Sequence, residues 1–155
     1  MDHIVRGLAA GRGMDRVSDW NDKMITEFRE NDGTAGRFGR SLVILHTIGA
    51  KSGEVRLVPA AGFRNDDGWL VIASAAGSPK HPGWYHNLKK HPEFEIEAAA
   101  QGDGIETAQV AAAEITDDAA YDAAWTTITT TMPGFLEYPK TTQGRRMPIF
   151  QLKKA

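Results

Sequence analysis

VRLVPAAGFR, residues 55–64, alternates along its length: Val55, Leu57, Ala61 and Phe63 share one face, Arg56, Val58 and Arg64 the other. NDDG turns this segment back into WLVIAS, which predicts a hairpin. PEFEIEAAA repeats the pattern, with Phe94 and Ile96 inward and Glu93, Glu95 and Glu97 outward, and QGDG turns it into IETAQVAAAEI. SLVILHT is apolar throughout its centre, as a strand covered on both faces is, and MPIFQL closes the chain as a last strand. Hairpins pair their strands antiparallel. About six strands joined in this way build a mainly β, α+β fold: an antiparallel β-barrel or sheet with peripheral helices. Pro59 lacks an N–H for the ladder, so the strand has an edge or a bulge there.

Three segments carry helical spacing instead. Trp20, Met24, Ile25 and Phe28 follow a cap at Ser18 or Asp19 and stop near Asn31-Asp32-Gly33, where GTAGRFGR reads as a loop. Pro82 starts a short helix, GWYHNLKKH. Thr116, Asp117 and Asp118 begin a third helix with Tyr121, Trp125, Ile128 and Met132 in one stripe. Its TTITTT run is a weak helix former, and Met132-Pro133-Gly134 ends it. Residues 1–16, with glycines scattered among charges, are expected to form a flexible tail, leaving residues 17–155 as a single domain.

The bulk properties exclude several functions. A length of 155 residues fits one domain with a real core. The net charge of -2 lacks the basic balance of a generic nucleic-acid binder, so an anion site must be a local cluster of Lys and Arg. Without Cys there is no thiol catalysis, disulfide or thiolate metal site. No apolar run approaches the roughly 18 residues of a membrane span, and the N-terminus lacks a signal-peptide core. The expected location is the cytoplasm. His81, His86 and His91 fall about 140° apart on a helix, so no metal site is expected from them. No Gly-x-Ser-x-Gly elbow is present for serine hydrolysis.

One turn carries chemistry. In TIGAKSGEVR, Lys51 and Ser52 follow a glycine, yet this is no Walker loop: Ala50 precedes Lys51, Leu45 stands where the loop's first Gly belongs, and a strand rather than a helix follows. No dinucleotide fingerprint exists either. The residues alone leave two readings. Gly49 and Gly53 permit the turn and Lys51 and Arg56 are solvated charges, or the turn's N–H groups, Lys51, Ser52 and the Arg56 fork hold an anion.

EFREN, TIGAKSGEVRLVP, PGWYHNLKKHPEF and MPGFLEYPKTTQGRRMPI, in this order over about residues 20–152, resemble the deazaflavin-dependent nitroreductase family. That resemblance implies coenzyme F420 as cofactor and a split β-barrel related to the flavin-binding pyridoxamine-phosphate oxidases. It also implies hydride transfer to a small electron-poor acceptor: a nitroaromatic, a quinone or an enone. Lys51, Ser52 and Arg56, next to Ala50, match positions that hold the cofactor's phosphate and acidic tail. Leu57, Val58, Pro59, Ala60 and Ala61 match the strand along the cofactor, and Ile72, Ala73, Ser74 and Ala75 the strand end beside its ring. Gly83, Trp84, Tyr85, His86 and Asn87 match the helix that closes the site, and Phe135 and Tyr138 a segment facing the substrate. Ser74 then hydrogen-bonds ring or substrate, and Tyr138 donates a proton to the product.

Two departures stand out. Ala50 replaces the family's usual Arg, and Ala75 a residue that is often Lys, which drops an anion contact or moves it to Lys80, Arg64 or Lys89. The competing readings keep the barrel with FMN as cofactor, or make the chain a non-catalytic protein that binds F420 or an apolar ligand.

Overall fold

The structure, a computed structural model, describes residues 13–74, 80–140 and 146–155, without the side chains of residues 13–18 and 138–140. Six strands, β1 (Leu42–Ile48), β2 (Val55–Asn65), β3 (Gly68–Ile72), β4 (Glu93–Ala99), β5 (Ile105–Glu114) and β6 (Ile149–Lys154), close a barrel in the order β1-β2-β3-β6-β5-β4. Every neighbouring pair is antiparallel. Three helices surround it: α1 (Gly13–Glu30), α2 (Gly83–Lys90) and α3 (Asp118–Thr131), followed by a 3₁₀ segment, Pro133–Lys140.

The alternation seen in the sequence sorts side chains between the barrel interior and two outer layers. Val43, Leu45, Ala60, Trp69, Val71, Phe94, Ile96, Ala98, Val110, Phe150 and Leu152 fill the interior with Leu88 of α2. Leu42 and Ile44, on the opposite face of β1, lie under Met24, Ile25 and Phe28 of α1. Ala61, Phe63, Leu70, Ile72 and Ile149 lie under Ala124 and Ile128 of α3 and under Phe135. β1 reads as a solid apolar run because both of its faces are covered.

β2 is long and changes partners. Residues 55–61 pair with β1, whereas residues 62–65 pair with β3. Pro59 sits opposite Ile44 in the stretch that has β1 as its strand neighbour on one side, which is the edge its missing N–H requires. The β2–β3 turn uses an Asx bond, Gly68 N–H to Asn65 Oδ1 at 3.0 Å. Gly68 itself has φ 149°, and a Cβ there would stand 2.1 Å from the Leu152 carbonyl oxygen, so only glycine fits.

One expectation needs correction and one needs an addition. α1 begins at Gly13, before the Ser18–Asp19 start that the capping pattern predicts. Once a helix is nucleated, each further residue adds a hydrogen bond at little cost, and Ser and Asp are tolerated within it. Residues 1–12 of the expected tail lie outside the described residues. Glu97 points away from the barrel interior as the alternation requires, but α1 covers it and it is only 7% exposed. It accepts Arg29 Nε at 2.9 Å and meets His46 Nε2 at 2.7 Å.

The threonine run of α3 is helical through Thr131. Thr127, Thr129 and Thr131 turn their hydroxyls back to the carbonyls of Ala123, Trp125 and Thr127, which satisfies them within the helix. Asp117 caps its start by accepting Ala120 N–H at 2.9 Å.

Candidate functional site

Between β1 and β2 the chain reverses through Gly49–Ala50–Lys51–Ser52–Gly53–Glu54. Gly49 N–H donates to the Glu54 carbonyl at 2.8 Å and Gly53 N–H to the Gly49 carbonyl at 2.9 Å. Gly53 takes φ 74°, which a side chain would resist. Ser52 Oγ accepts Glu54 N–H at 3.1 Å. Among the described residues, the N–H groups of Lys51 and Ser52 have no protein partner. A Cβ built on Gly49 would lie 2.5 Å from Ser52 Oγ and 3.6 Å from Arg56 Nε. The hydroxyl and the guanidinium therefore converge over Gly49, with Lys51 exposed beside them. Among the described residues neither Lys51 nor Arg56 forms an ion pair. Two open N–H groups, a hydroxyl and two uncompensated cations form a donor set matched to a phosphate or carboxylate.

Helix α2 holds this turn. Asn87 Oδ1 accepts Ala50 N–H at 2.9 Å, and its Nδ2 donates to Thr47 Oγ1 at 3.2 Å. Thr47 Oγ1 in turn donates to the Arg56 carbonyl at 2.9 Å. The helix is fixed by its other face: Leu88 is buried in the barrel interior, and Trp84 and Tyr85 pack on the same cluster. Both rings lie near Phe150, with centroids 6.3 and 5.8 Å away. Tyr85 Oη donates to Glu114 at 3.2 Å, and burial with the Glu114 charge pushes its hydroxyl pKa up, keeping it a donor. Lys89 binds the same carboxylate at 3.0 Å.

The other predicted residues fall on different faces. Arg56 and Val58 share a face of β2 with Ala60, which points into the barrel, whereas Leu57 packs outward with the α1 layer and Ala61 with the α3 layer. Leu57 and Val58 are half-buried, and Pro59, Ala60 and Ala61 are buried. Ile72 is buried in the α3 layer, Ala73 N–H donates to the Pro148 carbonyl at 2.8 Å, and Ser74 is half-buried just beyond β3. Gly83 and His86 are exposed on α2. Phe135 is 5% exposed and sets its ring against Phe63 with centroids 6.3 Å apart. Ala75 and the Tyr138 side chain lie outside the described residues.

Of the cations named as replacements for a lost anion contact, Arg64 is engaged by Glu106 and the Ala99 carbonyl, and Lys89 by Glu114. His81 precedes Pro82, outside the helix, and its ring comes within 6.5 Å of His86, so the angular argument does not apply to that pair. Among the described residues no group of three or more His, Asp or Glu is arranged to hold a metal ion.

Thr47 was missed by sequence reasoning. The available signal was a hydroxyl at the end of a strand expected to be covered on both faces. Such a group needs an internal partner.

Comparison with known proteins agrees with this architecture. Residues 20–154 match the family model described as F420H(2)-dependent quinone reductase. An F420H(2)-dependent quinone reductase of Mycobacterium tuberculosis is 39% identical over 79 residues, 47% of this chain and 53% of that protein. The chain thus aligns with about half the length of that curated relative. A solved F420-H2 dependent reductase, FDR-A, superposes with TM-score 0.60 at 31% identity, covering 74% of this chain and 95% of that one. A second solved chain, described as a domain-swapped dimer, gives TM-score 0.61 at 28% identity, with 92% and 100% covered. A six-stranded antiparallel barrel, a glycine-flanked Lys-Ser turn clasped by Asn87, and a family match running from Trp20 almost to the C-terminus meet in one conclusion: this chain belongs to the F420H(2)-dependent quinone reductase family.

Proposed function

We propose that the chain binds reduced coenzyme F420 and passes a hydride from it to a small electron-poor acceptor of the quinone type. The observation that carries this reading is the donor set over Gly49, a cradle that a single Cβ would fill. Its charge suits a cofactor with a phosphate and an acidic tail. When bound, the deazaflavin supplies the hydride.

In this reading Lys51, Ser52 and Arg56 grip the anionic end of the cofactor, with the Ala50 N–H held back by Asn87. Residues 57–61 run beside the cofactor. Side chains alternate between faces along that stretch, so it offers mainly backbone and the inward groups Val58 and Ala60. Ile72, Ala73, Ser74 and Ala75 flank the ring. Gly83, Trp84, Tyr85 and His86 close that end of the barrel, where Trp84 and Tyr85 exclude water by packing on the core. Reduction of a quinone needs a proton on oxygen as well as a hydride; Tyr138 is the hydroxyl assigned to supply it, and Ser74 hydrogen-bonds the ring or the substrate. Phe135 acts on the acceptor through packing.

The chain from the start of α1 onward acts as one cofactor-binding domain, working in the cytoplasm. Among the described residues no helix is long and apolar enough to cross a membrane.

A fluorescence titration with oxidised F420, run beside FMN, tests the reading. Micromolar or tighter F420 binding with weak FMN binding supports it. Tight FMN binding alone keeps the barrel and reassigns the enzyme. F420 binding without oxidation of the reduced cofactor by quinones, nitroaromatics or enones makes the protein a non-catalytic carrier.

A further inference from the structure

The buried hydroxyl of Thr47 and the amide of Asn87 form a relay that no cofactor contact explains. Thr47 is 0% exposed, so it touches no ligand at the turn. Its oxygen nevertheless sits between the two halves of the anion cradle, accepting Asn87 Nδ2 at 3.2 Å and donating to the Arg56 carbonyl at 2.9 Å. Asn87 then reaches the Ala50 N–H at 2.9 Å, the residue before Lys51. Through two side chains, α2 grips the turn at Ala50 and the strand at Arg56.

The geometry points to Thr47 and Asn87 as a positioning pair that sets the anion cradle before any ligand arrives. Asn87 therefore acts through the turn and not as a direct ligand of the cofactor. The pairing ties the turn to α2 on one side of the two open N–H groups and to β2 on the other. Ala50 N–H is satisfied by Asn87, so the turn keeps its shape without an anion to complete it. The carbonyl of Arg56 is fixed, so its side chain leaves the strand in one direction, over Gly49. A preset donor array loses less entropy on binding than one that must be ordered by its ligand.

The inference rests on the F420 reading for its ligand and on the free protein for its second readout. Thr47→Val removes the hydroxyl in nearly the same volume, Thr47→Ser retains it, and Asn87→Ala removes both amide contacts. The measurements are F420 affinity by fluorescence and amide hydrogen exchange at Ala50 in the cofactor-free protein. Thr47→Val and Asn87→Ala should each weaken F420 binding about three- to tenfold, the scale of one or two neutral hydrogen bonds. Both should speed Ala50 exchange, Thr47→Ser should restore both values, and the double variant should lose little more than either single one.

Wild-type affinity and unchanged Ala50 exchange in Thr47→Val overturn the proposal. So does an Asn87→Ala variant that loses affinity while Ala50 exchange stays unchanged, because that is the mark of a direct ligand. If the wild type binds no F420, the cofactor reading falls, and the exchange data still decide the relay.

Discussion

Arg29 and Glu97 meet side-on, Nε to Oε1 at 2.9 Å and Nη2 to Oε2 at 2.6 Å, joining α1 to β4 across 68 positions of sequence. His46 of β1 adds a third contact to the same carboxylate at 2.7 Å. Every oxygen of a nearly buried carboxylate is thus matched, and α1 is fixed to the barrel by charge as well as by Phe28 and Met24.

This arrangement predicts an acid-sensitive attachment. Hydrogen bonding from Arg29, outweighing burial and reinforced by His46, holds the Glu97 carboxyl below its ordinary value of 4.5. A group whose folded-state pKa is lowered contributes its stability above the unfolded value and loses it as pH falls through the folded one. Urea denaturation should therefore show stability declining below about pH 4.5. Glu97→Gln should cost about 1–3 kcal/mol at neutral pH and flatten that part of the acid limb. Glu106, lowered by Lys154 and then Arg64, adds to the same decline and remains in the variant. Superimposable acid limbs in the two proteins would contradict this account.

Lys51→Ala and Arg56→Ala should each weaken F420 binding by about 1.5–3 kcal/mol, roughly 10- to 100-fold, the scale of one charge-assisted hydrogen bond. Both residues are exposed, so the melting temperature of the free protein should stay near that of the wild type. Unchanged affinity in both variants would return the turn to a solvated loop.

Gly49→Ala separates space from charge. Its Cβ would crowd Ser52 Oγ at 2.5 Å and force the hydroxyl off the Glu54 N–H that it accepts at 3.1 Å. Cofactor affinity should fall at least tenfold, about 1.4 kcal/mol, with every charged residue still in place. Isothermal titration reads this directly, and wild-type affinity would show that the cradle is not where the anion sits.

Phe135 lies among Phe63, Ile128 and Ile149, so Phe135→Ala should lower stability by about 3–5 kcal/mol, as for other aromatic core residues. Chemical denaturation distinguishes this from a role confined to the acceptor, which would raise KM and leave stability intact.

Strands were legible in the sequence because alternation and turn chemistry are local. β1, the hairpin through Asn65–Gly68 and the hairpin through the QGDG turn follow from a few neighbouring residues each. The outward face of Glu97 was legible but its cover was not, because its partners Arg29 and His46 lie 68 and 51 positions away and nothing near PEFEIEAAA signals a helix above it. The Gly-flanked turn was visible as Gly49, Lys51, Ser52 and Arg56, but not what keeps it in shape. Thr47 and Asn87 are 40 positions apart and meet only through the closure of the barrel by α2. Phe135 carried a functional expectation from resemblance alone, and its burial emerges from the packing of α3 and the 3₁₀ segment against β2 and β3.

Helix α2 is both the stopper in the mouth of the barrel and the clasp of the anion turn, since Leu88 and Asn87 are adjacent residues facing different tasks. A loosened stopper slackens the clasp, and a molecule seated in the clasp presses the stopper home. A substitution that loosens α2 in the barrel mouth therefore reaches the turn as well, whereas the exposed Lys51 and Arg56 can change without unseating the stopper.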